Sequence, residues 1–169
     1  MKFTIKILLL TLMIQSCKED VEMSSINPVN WENRTIEYEL SDSLTHGVTY
    51  LSVYSQVYSQ TEHITHDLTA TVSMRNMNNA DTIYINKAEY FNTKGNPIRT
   101  YFDENIFIAP METVEIIIDQ KDQEGGTGAN FIFNWTIKPN SNEPYFEAIM
   151  ISTSGQQGIS FTTQGQKSN

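Results

Sequence analysis

From Leu68 onward the chain alternates apolar and polar residues with a period of two, and it carries no stripe of helical spacing. Leu68, Ala70, Val72 and Met74 share one parity, with Thr69, Thr71, Ser73 and Arg75 on the other. Val114, Ile116 and Ile118 repeat the pattern after Pro110. Phe131, Phe133, Trp135 and Ile137 form an aromatic face opposite Asn130, Asn134, Thr136 and Lys138. Side chains two apart point the same way only in an extended backbone, so these runs are strands. Between Thr82 and Asn92 the parity switches, from Ile83 and Ile85 to Ala88 and Tyr90, which predicts a β-bulge near Asn86 and Lys87.

Turn residues punctuate the runs at 76–81, 92–97 with Gly95, 124–128 and 138–144. Short strands at such spacing predict an all-β domain, an immunoglobulin-like antiparallel β-sandwich with the Trp135 strand central and no disulfide. A further short strand is expected at 35–40, where Ile36, Tyr38 and Leu40 alternate with Thr35, Glu37 and Glu39. At 169 residues the chain is one domain's worth, able to bury a sizeable core unaided.

The N-terminus obeys different rules. Lys2 and Lys6 precede the apolar run Ile7 to Ile14, far shorter than the roughly 20 residues a membrane-crossing helix requires. That is the pattern of a secretory signal. The single cysteine, Cys17, follows Ile14, Gln15 and Ser16, and this stretch resembles the bacterial lipoprotein box, with Gln15 bulkier than the pattern prefers. The expected organisation is a signal peptide at 1–16, a lipidated Cys17 and flexible tether through 34, a sandwich at 35–165 and a tail at 166–169. Lys18, Glu19 and Asp20 resemble the acidic tags that direct some lipoproteins to the cell surface. The expected location is the bacterial cell envelope, anchored by lipid at the outer membrane on its periplasmic or outer side, with the membrane as first partner and an envelope protein or glycan as second.

Composition removes several functions. With 11 Lys+Arg against 20 Asp+Glu and a formal net charge of −9, the chain would be repelled by nucleic acid phosphates. One cysteine cannot build a thiolate metal site. The run Gly125, Gly126, Thr127, Gly128 lacks the third glycine of a dinucleotide loop, since Phe131 stands there, and a strand follows where a helix is needed. Aligned on a calcium loop, Gln120 and Phe131 fall on ligand positions that require oxygen donors of another kind. No cofactor and no catalytic residue is expected.

Three sets of residues remain as candidates. Tyr50, Tyr54 and Tyr58, four apart, would face one way in a single extended strand and could stack on sugar rings. His63 and His66 could share a metal ion if the backbone turned between them, the weakest of the alternatives. The third set follows from topology. If the strand ending at Ile137 and the strand from Tyr145 are antiparallel neighbours, the loop 119–130 lies beside the loop 152–158, presenting Asp122, Glu124, Thr127, Asn130, Gln156 and Gln157 as a binding surface.

Three segments carry a family resemblance: DLTATVSMRN at 67–76, GGTGANF at 125–131 and GQQGISF at 155–161. The domain from about Gly47 to Gly165 resembles a bacterial family of exported proteins known as domain of unknown function 3124. That resemblance implies a secreted or lipid-anchored β-rich domain and no activity. The expected function is a non-enzymatic, lipid-anchored binding or structural module of the envelope, with carbohydrate binding through the tyrosines as the alternative.

Overall fold

The structure is a computed structural model, which describes residues 29–36, 40, 43–153 and 158–168. Among the described residues twelve strands follow in chain order: β1 (Thr45–Val53), β2 (Gln56–Ser59), β3 (Thr61–Asp67), β4 (Thr69–Arg75), β5 (Ile83–Phe91), β6 (Pro97–Phe102), β7 (Ile106–Ile108), β8 (Thr113–Ile118), β9 (Ala129–Ile137), β10 (Tyr145–Ser152), β11 (Ile159–Gln164) and β12 (Gln166–Lys167). One sheet runs β12-β1-β9-β5-β6, with β7 also pairing β5; the other runs β11-β10-β4-β8. All pairings are antiparallel, and the two sheets pack as the expected sandwich.

The strand of Trp135 is central, because β1 and β5 occupy both of its edges. Its burial alternates as the sequence does, with Phe131, Phe133 and Trp135 inside and Asn130, Ile132 and Asn134 half-exposed. The core is an aromatic stack that joins the sheets. Tyr90 lies 4.7 Å from Phe131, Phe131 lies 5.3 Å from Phe133, and Phe133 lies 4.4 Å from Phe146 of the opposite sheet. Below it Trp135 occupies the space a side chain on Gly47 would need, and its indole N–H donates to Thr49 Oγ1 at 2.9 Å.

The bulge is where the parity switch puts it. Ile85 pairs Trp135 and Lys87 pairs Asn134, so Asn86 is the extra residue.

Four features differ from the sequence reading. First, β9 and β10 do not form a hairpin; the connection 138–144 crosses from one sheet to the other. With β1 and β5 on β9 there is no free edge, and seven residues are ample to cross the roughly 10 Å between sheets. The crossing is held by asparagines. Asn78 Nδ2 donates to Asn142 O at 3.0 Å and Asn142 N donates to Asn78 Oδ1 at 2.7 Å, while Asn76 Nδ2 donates to the carbonyls of Asp81, Ile108 and Ala109.

Second, the domain does not stop at Gly165. The chain passes between sheets there, Gly165 N donating to Phe146 O at 2.8 Å, and Gln166–Lys167 then pair with Tyr50 and Thr49 as β12. A Cβ on Gly165 would meet Thr49 and Phe146, which leaves glycine as the residue for that corner. Third, residues 56–67 are a two-stranded ribbon, β2 with β3, so no single extended strand runs from Tyr50 through Tyr58. Fourth, of the expected strand at 35–40 the described part shows a single bridge, Thr35 to Ile106, after a short 3-10 turn at Trp31–Arg34; residues 37–39 lie outside the described residues. Trp31 packs on Phe102 with ring centroids 4.7 Å apart.

Candidate functional site

The glycine-rich segment is built around side chains that turn inward. Asp122 is buried and ion-paired with Arg99 at 2.9 Å, and Arg99 also reaches Glu124 at 3.2 Å. Arg99 thus brings Asp122 and Glu124 together and occupies the Asp122 carboxylate. Thr93 Oγ1 donates to Gly125 O at 3.0 Å and accepts from Gly128 N at 2.9 Å, so the glycines lie against the β5–β6 turn. A Cβ on Gly125 would strike the Tyr90 hydroxyl, and Gly126 has φ +73. The glycines serve close packing and a tight turn. Thr127 and Asn130 are half-buried, Thr127 in a 3-10 turn and Asn130 in β9 beside Ser52 and Phe91; Gln156 and Gln157 lie outside the described residues.

Two tyrosines beside this ion pair are held neutral. Burial pushes the Tyr101 phenol up to about 12, although its hydrogen bond from Arg99 at 3.0 Å pulls the other way. Burial likewise raises Tyr90 well above the ordinary value of 10.0, its hydroxyl near Ser55 without a well-formed bond. A phenol whose folded value is raised contributes stability that is complete below pH of about 10 and is lost as pH climbs through the folded value. Alkaline unfolding is therefore expected between about pH 10 and 12, and Tyr101→Phe with Tyr90→Phe is expected to move the midpoint upward. Tyrosinate absorbance followed beside circular dichroism checks this; an unchanged midpoint contradicts it.

The tyrosine row is broken. Tyr50 is on the outer face of β1, 38% exposed; Tyr54 follows the end of that strand and packs edge-on against Phe161 at 5.8 Å; Tyr58 sits on the ribbon, 61% exposed. His63 and His66 are both on β3, where the pairing with β2 shifts register between Thr65 and Thr61, so His66 is paired with Val57 and His63 falls in the irregular stretch. Among the described residues no three His, Cys, Asp or Glu side chains gather as a metal site would require.

A site that the sequence reading missed lies on the outer face of the larger sheet. There His46, Gly47, Val48, Asn86, Asn134 and Trp135 line a groove of about 470 Å³. Side chains of β1, β9 and β5 meet across it in two rows: His46 with Thr136 and Tyr84, then Val48 with Asn134 and Lys87. The bulge turns Asn86 onto Thr136, whose hydroxyl donates to Asn86 Oδ1 at 2.8 Å; Asn86 Nδ2 donates to Asn105 Oδ1 at 2.7 Å. His46 Nδ1 lies 2.8 Å from the same Thr136 oxygen. No local spacing signals the group, since Thr136 and Asn86 are 90 and 50 residues distant from their partners in the chain. The parity switch at Asn86 is its single trace in the sequence.

The comparisons with known proteins place the chain but assign it no chemistry. Residues 46–167 match the model of a family described as Protein of unknown function (DUF3124). The chain belongs to this family. The matched span opens on His46 and closes on the last residue of β12, so it takes in all the described strands of the DUF3124 sandwich but for the first residue of β1. No curated protein matches the chain. Among solved structures, the crystal structure of Thermotoga maritima 1070 is similar at 9% identity and a TM-score of 0.45, covering 71% of this chain and 92% of that one.

Proposed function

We propose that this DUF3124 protein is a non-enzymatic binding module fixed by lipid to the bacterial cell envelope, at the outer membrane. The observation that carries the reading is Cys17, the one cysteine of the chain, standing directly after a short apolar segment headed by Lys2 and Lys6. Residues 1–28 lie outside the described residues, so the argument is one of sequence. A free exposed thiol is a liability in an exported protein, and a lipidated one is not. Several acyl chains on one cysteine hold firmly where a single chain does not. Thirteen residues lie between Cys17 and Trp31, where the described fold begins to pack, enough to span up to about 45 Å. That reach lets the sandwich stand clear of a lipid surface.

Two further features support binding over catalysis. Arg99, Asp122 and Glu124 beside the glycine-rich turn are used up in internal pairing. The groove at His46 is open and sets His46, Asn86 and Asn134 beside apolar surface on a paired sheet, the ordinary setting of a ligand site. A surface glycan reader acting through the tyrosines is favoured only at Tyr50, which shares its face with that groove.

The test is fractionation of cells expressing the full chain or Cys17→Ala. The native chain is expected in the membrane fraction, and the variant in the soluble or unprocessed pool with no incorporated fatty acid. A variant that still takes up labelled fatty acid overturns the anchor.

A further inference from the structure

The geometry points to the groove at His46 as the binding site of a neutral, hydroxyl-rich ligand, a sugar ring, with His46 Nε2 as acceptor and Asn134 as donor and acceptor. This rests on the reading of the domain as a binding module, though not on its anchor. The argument begins with one hydrogen. The Thr136 hydroxyl has a single proton, and it is donated to Asn86 Oδ1 at 2.8 Å. Asn86 is oriented in turn because its Nδ2 donates to Asn105 Oδ1 at 2.7 Å. The contact of 2.8 Å between Thr136 Oγ1 and His46 Nδ1 must then be donated by the imidazole. With Nδ1 carrying the proton, neutral His46 has its lone pair on Nε2. His46 is exposed, and the groove lies against it.

Asn134 supplies the rest. It is half-exposed in the next row of the sheet and its carboxamide has no partner among the described residues. It is the diagonal neighbour of His46 across β1 and β9, roughly 7–8 Å away at the backbone, a gap one sugar ring bridges. Between them Val48 gives an apolar contact. The next outward residue of β1 is the exposed Tyr50, placed to stack on an adjoining ring.

Charge argues against an anionic ligand. Lys87, the cation paired with Asn134 in register, is matched by Glu89 at 3.1 Å and Asp103 at 3.6 Å. With its charge taken up by two carboxylates, Lys87 offers none to an anion among the described residues, whereas a lone pair beside an open carboxamide matches hydroxyls, which donate and accept at once.

The chain has three histidines, so ¹⁵N imidazole spectra are simple to resolve. The full chain would be studied in a detergent without a sugar headgroup, and titrated with maltose, with N-acetylglucosamine, and with 1,4-dioxane as a ring lacking hydroxyls. The expected result is an Nδ1–H tautomer at His46, and movement of its Nε2 signal by a sugar but not by dioxane, while His63 and His66 stay still. Asn134→Ala and His46→Phe are each expected to weaken sugar binding roughly tenfold or more. Thr136→Val is expected to release the tautomer and weaken binding with the circular dichroism unchanged. An Nε2–H tautomer at His46, meaning that both carboxamides are turned over, overturns the proposal. So does the absence of a shift at His46 with both sugars, or an equal response to dioxane. Sugar-dependent shifts confined to other residues would overturn the groove and leave the binding-module reading standing, and membrane release by Cys17→Ala is decided separately from either.

Discussion

Phe133→Ala is expected to destabilise the domain by about 3–5 kcal/mol, the usual cost of emptying a buried phenylalanine site. Phe133 is fully buried and is the middle of the stack that ties the two sheets, with Phe131 at 5.3 Å on its own strand and Phe146 at 4.4 Å across the core. Both neighbours are held by strand pairing on either side, so neither can slide in to close the gap. A loss of that size is a large share of the roughly 5–15 kcal/mol that holds an ordinary domain together. Urea unfolding should show the midpoint falling with the slope unchanged. Ile132→Ala, one residue away and facing outward, should cost far less, since it is half-exposed. Equal losses at the two positions would mean that the alternation does not define the core.

Gly47→Ala is the second large effect, expected at about 2–3 kcal/mol from overpacking. The added methyl would lie inside the Trp135 indole, whose nearest ring atoms belong to the six-membered ring. Moving the ring aside also breaks its buried bond to Thr49. Gly47 and Trp135 are direct partners across β1 and β9, so the strand cannot shift without disturbing nine paired residues. The double variant Gly47→Ala with Trp135→Phe should lose less than the sum of the two single changes, because the smaller ring vacates the space the methyl enters. Additive losses would contradict the packing described for this pair.

The strands were legible where one face is buried. Leu68 to Met74, Val114 to Ile118 and Phe131 to Ile137 each carry an apolar parity, and each is a strand with that face inside. Even the bulge at Asn86 left a mark, because an extra residue reverses the parity on either side of it. The ribbon of β2 and β3 left none. Thr61, Glu62, His63, Ile64 and Thr65 are all exposed, so neither face of β3 selects apolar residues and the alternation vanishes. The crossing after Ile137 was illegible for a different reason. A strand entering the core from either sheet shows the same in-and-out pattern, and only the occupied edges of β9 decide between hairpin and crossover.

The same limit governs the candidate sites. Asp122 looked like a loop carboxylate on a glycine-rich backbone, yet its partner Arg99 comes from β6, where nothing nearby in sequence announces it. The tyrosine row assumed one continuous strand through Tyr58, whereas β1 ends at Val53. His46 stood alone in the sequence because its partners are set by register across three strands. Sites made of adjacent strands are written in pairing, and pairing is the part of a β-sandwich that local spacing encodes least.

The anchored binding module is tested most directly by the mass of its N-terminal peptide, taken from native protein extracted from membranes and digested. The expected peptide begins at Cys17 and carries a thioether-linked diacylglyceryl group, with residues 1–16 removed. A peptide that begins at Met1, or one that begins at Cys17 with an unmodified thiol, would contradict the account.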